Sequence, residues 1–268
     1  MDFGGLTAVN IELSSLCDKR CIQCGRRKVD RDMPGLIEYG FMDFELLKSI
    51  DNQLPQSRLL CQFHRDGEPL LYPQLGEGLK LFKRHIRCLN TNGNLLMERF
   101  DEIVNNLDTI TVSMLPDDDI WESQYETLIK FLEKKGDRSP NVIIRMTGNF
   151  NDERRKLYED TGCMIVNRIL HDPMGSWKYQ YPTVKPETGI CLEMIGKLSI
   201  DRYGNVSPCV RFDPKKEFII ANLNNMSLLE IWNSPKRQEW LNLHVQMKRN
   251  EIPFCGKCEY FGLPRGEK

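Results

Sequence analysis

The chain has almost no net charge, with 37 Lys and Arg against 38 Asp and Glu over 268 residues. So balanced a protein has no global field to attract nucleic acid or an acidic membrane surface, and its expected partner is a small molecule. Long apolar runs are missing as well. None approaches the roughly 20 residues that span a bilayer, and the N-terminus MDFGGLTAVN shows neither the basic segment nor the apolar stretch of an export signal. A cytoplasmic location is expected. Repeats and low-complexity tracts are absent too, and with 40% apolar residues the composition is that of a chain that folds around a core.

What the chain has in excess is cysteine. Ten are present, and seven fall in tight local groups: Cys17, Cys21 and Cys24, then Cys191, Cys209, Cys255 and Cys258. Without an export signal, such grouping points to metal rather than to disulfides. Cys61 and Cys88 lie inside apolar strand patterns and Cys163 just before one, so these three read as small core residues.

Short β-rich runs alternate with helical patterns through the first 170 residues, the signature of βα units with parallel strands. The expected strands are Leu6 to Leu13, Arg58 to His64, Ile86 to Thr91, Thr109 to Met114, Val142 to Thr147 and Met164 to Leu170. Between them run apolar helical stripes at Leu46, Leu47, Ile50 and Leu54, at Leu96, Phe100, Ile103, Val104 and Leu107, and at Trp121, Tyr125, Leu128, Ile129 and Leu132, with a weaker one around Leu75, Leu79 and Phe82. Six units favour an α/β fold of the partial (β/α)6 barrel type, with the site at the C-terminal ends of the strands. An open doubly wound sheet shares the pattern. The stretch DPMGSWKYQYPTVKPETG has no periodicity and reads as a linker, which divides the chain into 1–172, a linker at 173–190, and a small α+β domain at 191–268. In that last part Lys197 to Ile200 and Val206 to Val210 flank DRYGN as a hairpin, and Ser227 to Trp232 and Pro235 to Met247 read as helices.

CxxxCxxC at Cys17 to Cys24 places three thiols in one loop after the first strand. Three sulfurs from one loop leave a four-ligand centre with an open position, whereas structural zinc and iron-sulfur sites are closed by four protein ligands. A zinc site completed elsewhere is the plainer alternative. With GEP at Gly67 to Pro69 after the second strand, residues 6 to 170 resemble the radical S-adenosylmethionine (SAM) superfamily. The resemblance implies that Cys17, Cys21 and Cys24 hold a [4Fe-4S] cluster whose open iron binds SAM, and that Gly67, Glu68 and Pro69 line the methionine amino group. It also implies SAM contacts from Asn92 in TNG at the end of the third strand, from Ser113 at the end of the fourth, and from Arg145 in the fifth. Such proteins draw electrons from a donor such as flavodoxin or ferredoxin. One departure is Gln23, where the superfamily carries an aromatic residue beside the adenine.

The second group, C-x12-G-x4-C followed by CxxC, is fit to close a tetrahedral site, and a zinc ribbon would read the same way. Beside the first group it resembles the twitch or SPASM-type auxiliary domain appended to radical SAM enzymes, which implies a second [4Fe-4S] cluster on Cys191, Cys209, Cys255 and Cys258. The layout resembles that of radical SAM dehydrogenases that oxidise the cyclitol deoxy-scyllo-inosamine. The activity this implies is oxidation of an alcohol on a sugar, a cyclitol or a similar small polar substrate, the electron passing to the auxiliary cluster. Arg145, His64 and Tyr179 are the candidate catalytic residues, with Arg65, His171 and Lys178 also placed near strand ends or in the linker. Epimerisation or peptide modification would use the same first cluster, and a non-catalytic zinc or iron-sulfur protein is the alternative of another class.

Overall fold

The computed structural model describes residues 2–22, 24–116, 118–168, 190–256 and 258. Nine strands make one sheet: β1 (Ala8–Ile11), β2 (Leu60–Phe63), β3 (Ile86–Thr91), β4 (Thr109–Met114), β5 (Asn141–Thr147), β6 (Met164–Arg168), β7 (Lys197–Ile200), β8 (Asn205–Ser207) and β9 (Ala221–Asn222). Their order is β6-β5-β4-β3-β2-β1-β7-β8-β9. The first six pair in parallel, as expected for successive βα units. β7 then pairs in parallel with β1 while β8 and β9 pair antiparallel, so the C-terminal hairpin extends the barrel sheet instead of forming a separate one.

Alternation along the strands sorts the two faces of the sheet. Val9, Ile11, Cys61, Phe63, Leu89, Ile110, Val112, Met114, Ile144 and Met146 are all buried in one apolar core. The intervening residues point the other way and are largely polar: Asn10, Gln62, Asn90, Ser113 and Arg145 occupy the opposite face by the two-residue period. Asn10 Nδ2 donates to Gln62 Oε1 across β1 and β2 at 3.3 Å, so this face is polar inside the array as well as at its rim.

The helices are α1 (Gly25–Asp32), α2 (Phe44–Gln53), α3 (Leu75–Leu81), α4 (Phe100–Ile103), α5 (Trp121–Lys135), α6 (Asp152–Glu159), α7 (Leu192–Gly196), α8 (Leu228–Trp232), α9 (Pro235–Val245) and α10 (Pro253–Gly256). Caps mark several starts. Asp43 accepts from the backbone of Glu45 and Leu46 at α2, and Ser227 with Glu230 closes a reciprocal capping box at α8. Ser234 caps α9 with Pro235 in its first turn.

Two sequence expectations shift. The buried line of α5 is Gln124, Leu128 and Phe131 rather than the stripe through Trp121 and Ile129. The helix is rolled so that at its N-terminal end an amide, Gln124, faces inward in place of Trp121, for a reason that lies at the site. α1 carries no apolar stripe beyond Val29, and ion pairs Arg27 to Asp30 and Lys28 to Asp32 support its exposed turns. Residues 173–189 of the expected linker, with Lys178 and Tyr179, and His171 before it, lie outside the described residues.

Candidate active site and auxiliary centre

β1 runs straight into the first cysteine loop. Cys17, Cys21 and Cys24 are free, half-buried thiols, and Cys24 is the N-cap residue of α1, with its own N–H donated to the Cys21 carbonyl at 3.1 Å. The loop is held from three sides. Glu68 N donates to the Leu16 carbonyl at 2.7 Å, Arg27 Nη2 to the Lys19 carbonyl at 2.6 Å, and Lys19 itself forms a buried ion pair with Asp118. Gly67 makes the first contact possible, because a Cβ there would lie 2.2 Å from the Ser14 carbonyl oxygen and 2.6 Å from that of Leu16.

Residues from the ends of β2 and β3 close on the same place. Glu68 is 2% exposed, and its carboxylate accepts from Leu70 N at 3.0 Å, Thr91 Oγ1 at 2.7 Å and Asn92 N at 2.8 Å. Burial nonetheless pushes it up to about 7, since three neutral donors do not replace full hydration. Pro69 opens the 3-10 turn Pro69–Leu71 behind it. Asn92 Nδ2 lies 3.9 Å from Cys17 Sγ and 2.6 Å from Asp18 Oδ1, while Asn94 Nδ2 donates to Asp18 Oδ2 at 2.8 Å. Arg145 Nη2 donates to Ser113 Oγ at 2.7 Å across the β4–β5 register.

The two groups are joined by a residue that sequence reasoning missed. Gln124, 2% exposed on α5, donates Nε2 to the carbonyls of both Asn92 and Ser113, the latter at 3.0 Å. An isolated glutamine in a helical pattern carries no signal, and only the roll of α5 reveals its task.

Beside this lies a cavity of about 360 Å³, walled by the ends of β1, β2 and β7 and by the loop after α1. Glu12, Arg65, Asp66, Asp201 and Arg26 line it. Arg65 Nε donates to Asp66 Oδ2 at 3.2 Å, Arg26 Nη1 to the Asp66 carbonyl at 3.3 Å, and Arg202 N to Glu12 Oε2 at 3.0 Å. Burial, helped by Asp66, lifts Glu12 to about 7. For Arg65 burial opposes the charge, but Asp66, Glu12 and Asp201 outweigh it. Glu12 is the second site residue the sequence did not mark. His64 follows β2 on the polar face, its N–H donated to the Gln62 carbonyl at 3.0 Å.

The three thiols act on one another. Burial is the main reason that Cys21 rises to about 11, followed by Cys24 and then Cys17. Adjacent thiolates that repel in this way suit a multiply charged metal centre. Among the described residues no three or more His, Cys, Asp or Glu converge as a ready single-ion site. A cubane requires the thiols to reach one cluster rather than one ion, since each thiolate ligates a different iron. Three half-buried thiols on one loop, whose leading backbone at Ser14 to Leu16 packs against Gly67, fit such a cluster.

The second group is brought together as well. Cys191 and Cys255 are buried in a small core with Met194, Phe218 and Ile252, against which Cys209 packs. Cys191 leads α7, Cys209 follows β8, and Cys258 N donates to the Cys255 carbonyl at 3.0 Å. Burial raises Cys255 to about 12, with further contributions from Cys258 and Cys191, and raises Cys209, with contributions from Cys255 and Cys258. Gly204, the glycine between the first pair, sits at φ +82 where the turn closes through Gly204 N to the Asp201 carbonyl. Four thiols near enough to act on one another around a small core fit a closed centre.

Residues 191–259 match the SPASM iron-sulfur cluster-binding domain. The chain thus combines a parallel βα array with a C-terminal segment that matches this iron-sulfur domain. Among solved structures it is similar to BtrN in complex with AdoMet and 2-DOIA, at 19% identity and a TM-score of 0.57, covering 96% of this chain and 92% of that one. BtrN in an open conformation gives a TM-score of 0.58 at 17% identity, with 94% of this chain and 92% of that one covered. SuiB of Streptococcus suis bound to S-adenosylmethionine gives 0.55 at 13% identity, covering 91% and 68%. At these identities the likeness is one of fold. A segment is also 29% identical over 140 residues to the mitochondrial presequence protease of Mus musculus, covering 47% of this chain and 13% of that protein. The four histidines, at 64, 85, 171 and 244, stand too far apart for the paired-histidine zinc motifs of metalloproteases. No helix among the described residues is long and apolar enough to cross a membrane.

Proposed function

We propose that the chain is a radical SAM oxidoreductase that oxidises an alcohol on a small polar substrate, with 1–172 as the catalytic array, 173–190 as linker and 191–268 as auxiliary domain. The observation that carries this reading is the arrangement of two thiol sets around one polar mouth. Three thiols follow β1, the second set flanks β7 and β8 and extends to α10, and Cys209 of that set is close enough to Arg65 in the cavity wall to act on its charge. The polar face of the sheet suits a hydroxylated substrate better than an apolar one.

When bound, the reduced cluster and SAM supply a one-electron cleavage that yields a radical able to remove a hydrogen atom from the substrate. The residues of the chain bind, orient and take up the proton. Cys17, Cys21 and Cys24 hold the first centre. Gly67 lets the turn carrying Glu68 and Pro69 press against the backbone at Ser14 to Leu16 that leads into them, and Asn92, Ser113 and Arg145 present an amide, a hydroxyl and a guanidinium for the polar groups of SAM or substrate. His64, Arg145 and Tyr179 are the candidate catalytic groups. Loss of hydrogen and then of one electron from a carbinol carbon leaves a carbonyl and a proton, and the four-thiol centre is the proposed electron acceptor. Flavodoxin or ferredoxin is the proposed donor, and the cytoplasm the proposed location.

Anaerobic reconstitution followed by metal analysis tests this reading. It expects about eight irons per chain, given two cubanes of four, and release of deoxyadenosine from SAM under reduction. About four irons with one zinc, or no deoxyadenosine, contradicts it.

A further inference from the structure

The four-thiol centre is surrounded by arginine. Arg211 follows Cys209 by two residues, its backbone N–H reaches the Cys209 sulfur, and its charge acts on both Cys209 and Cys255. Its Nη1 is buried with no hydrogen-bond partner among the described residues. Arg249 is 1% exposed, donates Nη2 to the Cys258 carbonyl at 3.1 Å and also acts on Cys255. Two other charged pairs lie nearby among the described residues. Arg65 is paired with Asp66, and Glu193 beside Cys191 is paired with Lys197 Nζ at 2.5 Å. His244 Nδ1 accepts from Cys191 N at 3.3 Å. Two guanidinium groups thus stand close to the sulfurs.

Around the three-thiol loop charges of both signs are present. Asp18 and Glu68 act on Cys17 against Arg26, and Lys19 is neutralised by Asp118. A four-cysteinate cubane is dianionic when oxidised and trianionic when reduced, so each nearby cation favours the reduced form, most strongly where water is excluded.

We propose that Arg211 and Arg249 tune the auxiliary centre, raising its reduction potential so that it accepts the electron left on the substrate. They touch no reacting atom; they act through the cluster. This rests on the reading that the four thiols hold a [4Fe-4S] cluster.

The test is a potentiometric titration, followed by electron paramagnetic resonance, of the reconstituted full chain, with iron counted in each sample. Arg211→Gln and Arg249→Gln are expected to lower the midpoint of one cluster beyond the scatter of replicate titrations and to leave the other in place. Arg211→Lys, which keeps the charge, stays at the wild-type midpoint. Should Arg249→Gln lose iron because Cys258 is released, Arg211→Gln decides, being only half-buried and making no side-chain bond to the loop. Unchanged midpoints in both Gln variants at wild-type iron content overturn the proposal. A wild-type chain with about four irons and a single redox wave contradicts the functional reading itself, whereas two waves of which neither responds to Arg211 contradict this inference alone.

Discussion

Replacing Gly67 by alanine tests whether the turn after β2 is what positions the cysteine loop. The new Cβ would stand 2.2 Å from the Ser14 carbonyl oxygen, 2.6 Å from that of Leu16 and 2.7 Å from the Ser15 carbonyl carbon. All three are backbone atoms, and ordinary contact begins near 3.5 Å. No side chain can swing aside, so one loop must retreat from the other by about 1 Å. Overpacking of this kind costs about 1–3 kcal/mol. The retreat also strains the 2.7 Å bond from Glu68 N to the Leu16 carbonyl, one residue before Cys17, and a lost backbone bond adds about 1 kcal/mol. A destabilisation of about 2–4 kcal/mol is expected in urea unfolding of the metal-free protein, together with reduced iron retention. A Gly67→Ala chain that unfolds within about 0.5 kcal/mol of wild type and keeps all its iron would refute the packing argument.

Three further outcomes follow from the same structure. Glu12 has its folded pKa raised from 4.5 to about 7, so the native state holds the extra proton between those values and stability falls as pH rises through that window, by at most about 3 kcal/mol. Glu12→Gln is expected to flatten that part of the wild-type profile; two parallel profiles would speak against a buried titrating Glu12. Asp18→Ala removes the bonds to Asn92 at 2.6 Å and Asn94 at 2.8 Å that latch the cysteine loop to the end of β3. Because Asp18 is exposed, stability changes little, but iron should pass faster to a chelator, and equal rates would contradict the latch. Ser227→Ala breaks the capping box of α8 and should cost about 1 kcal/mol in unfolding, with Ser227→Asp restoring most of it; no loss on removal would mean that the cap is idle.

The six parallel strands were legible because each is a short apolar run bounded by turn residues, and local pattern suffices to find such strands. Pairing of β7 with β1 was not, since it joins residues nearly two hundred positions apart and nothing local in KLSI announces it. α1 escaped because GRRKVDRD offers only Val29 to an apolar face; its start is set by Cys24 and its turns by charge pairs. At the site, thiol spacing alone marked the two cysteine sets. Gln124 and Glu12 carried no such mark. Each is a single polar residue in an otherwise ordinary pattern, and its place depends on the roll of a helix or on the meeting of three strand ends.

The central claim is that the three-thiol cluster has one iron free for SAM. Its most direct test is electron-nuclear double resonance on the reduced chain carrying Cys209→Ala and Cys255→Ala, so that only the cluster at Cys17, Cys21 and Cys24 contributes, with SAM labelled by nitrogen-15 at the amino group and oxygen-17 at the carboxylate. Both labels should show hyperfine coupling to the cluster. A spectrum that SAM leaves unaltered, with no coupling to either label, would contradict the account.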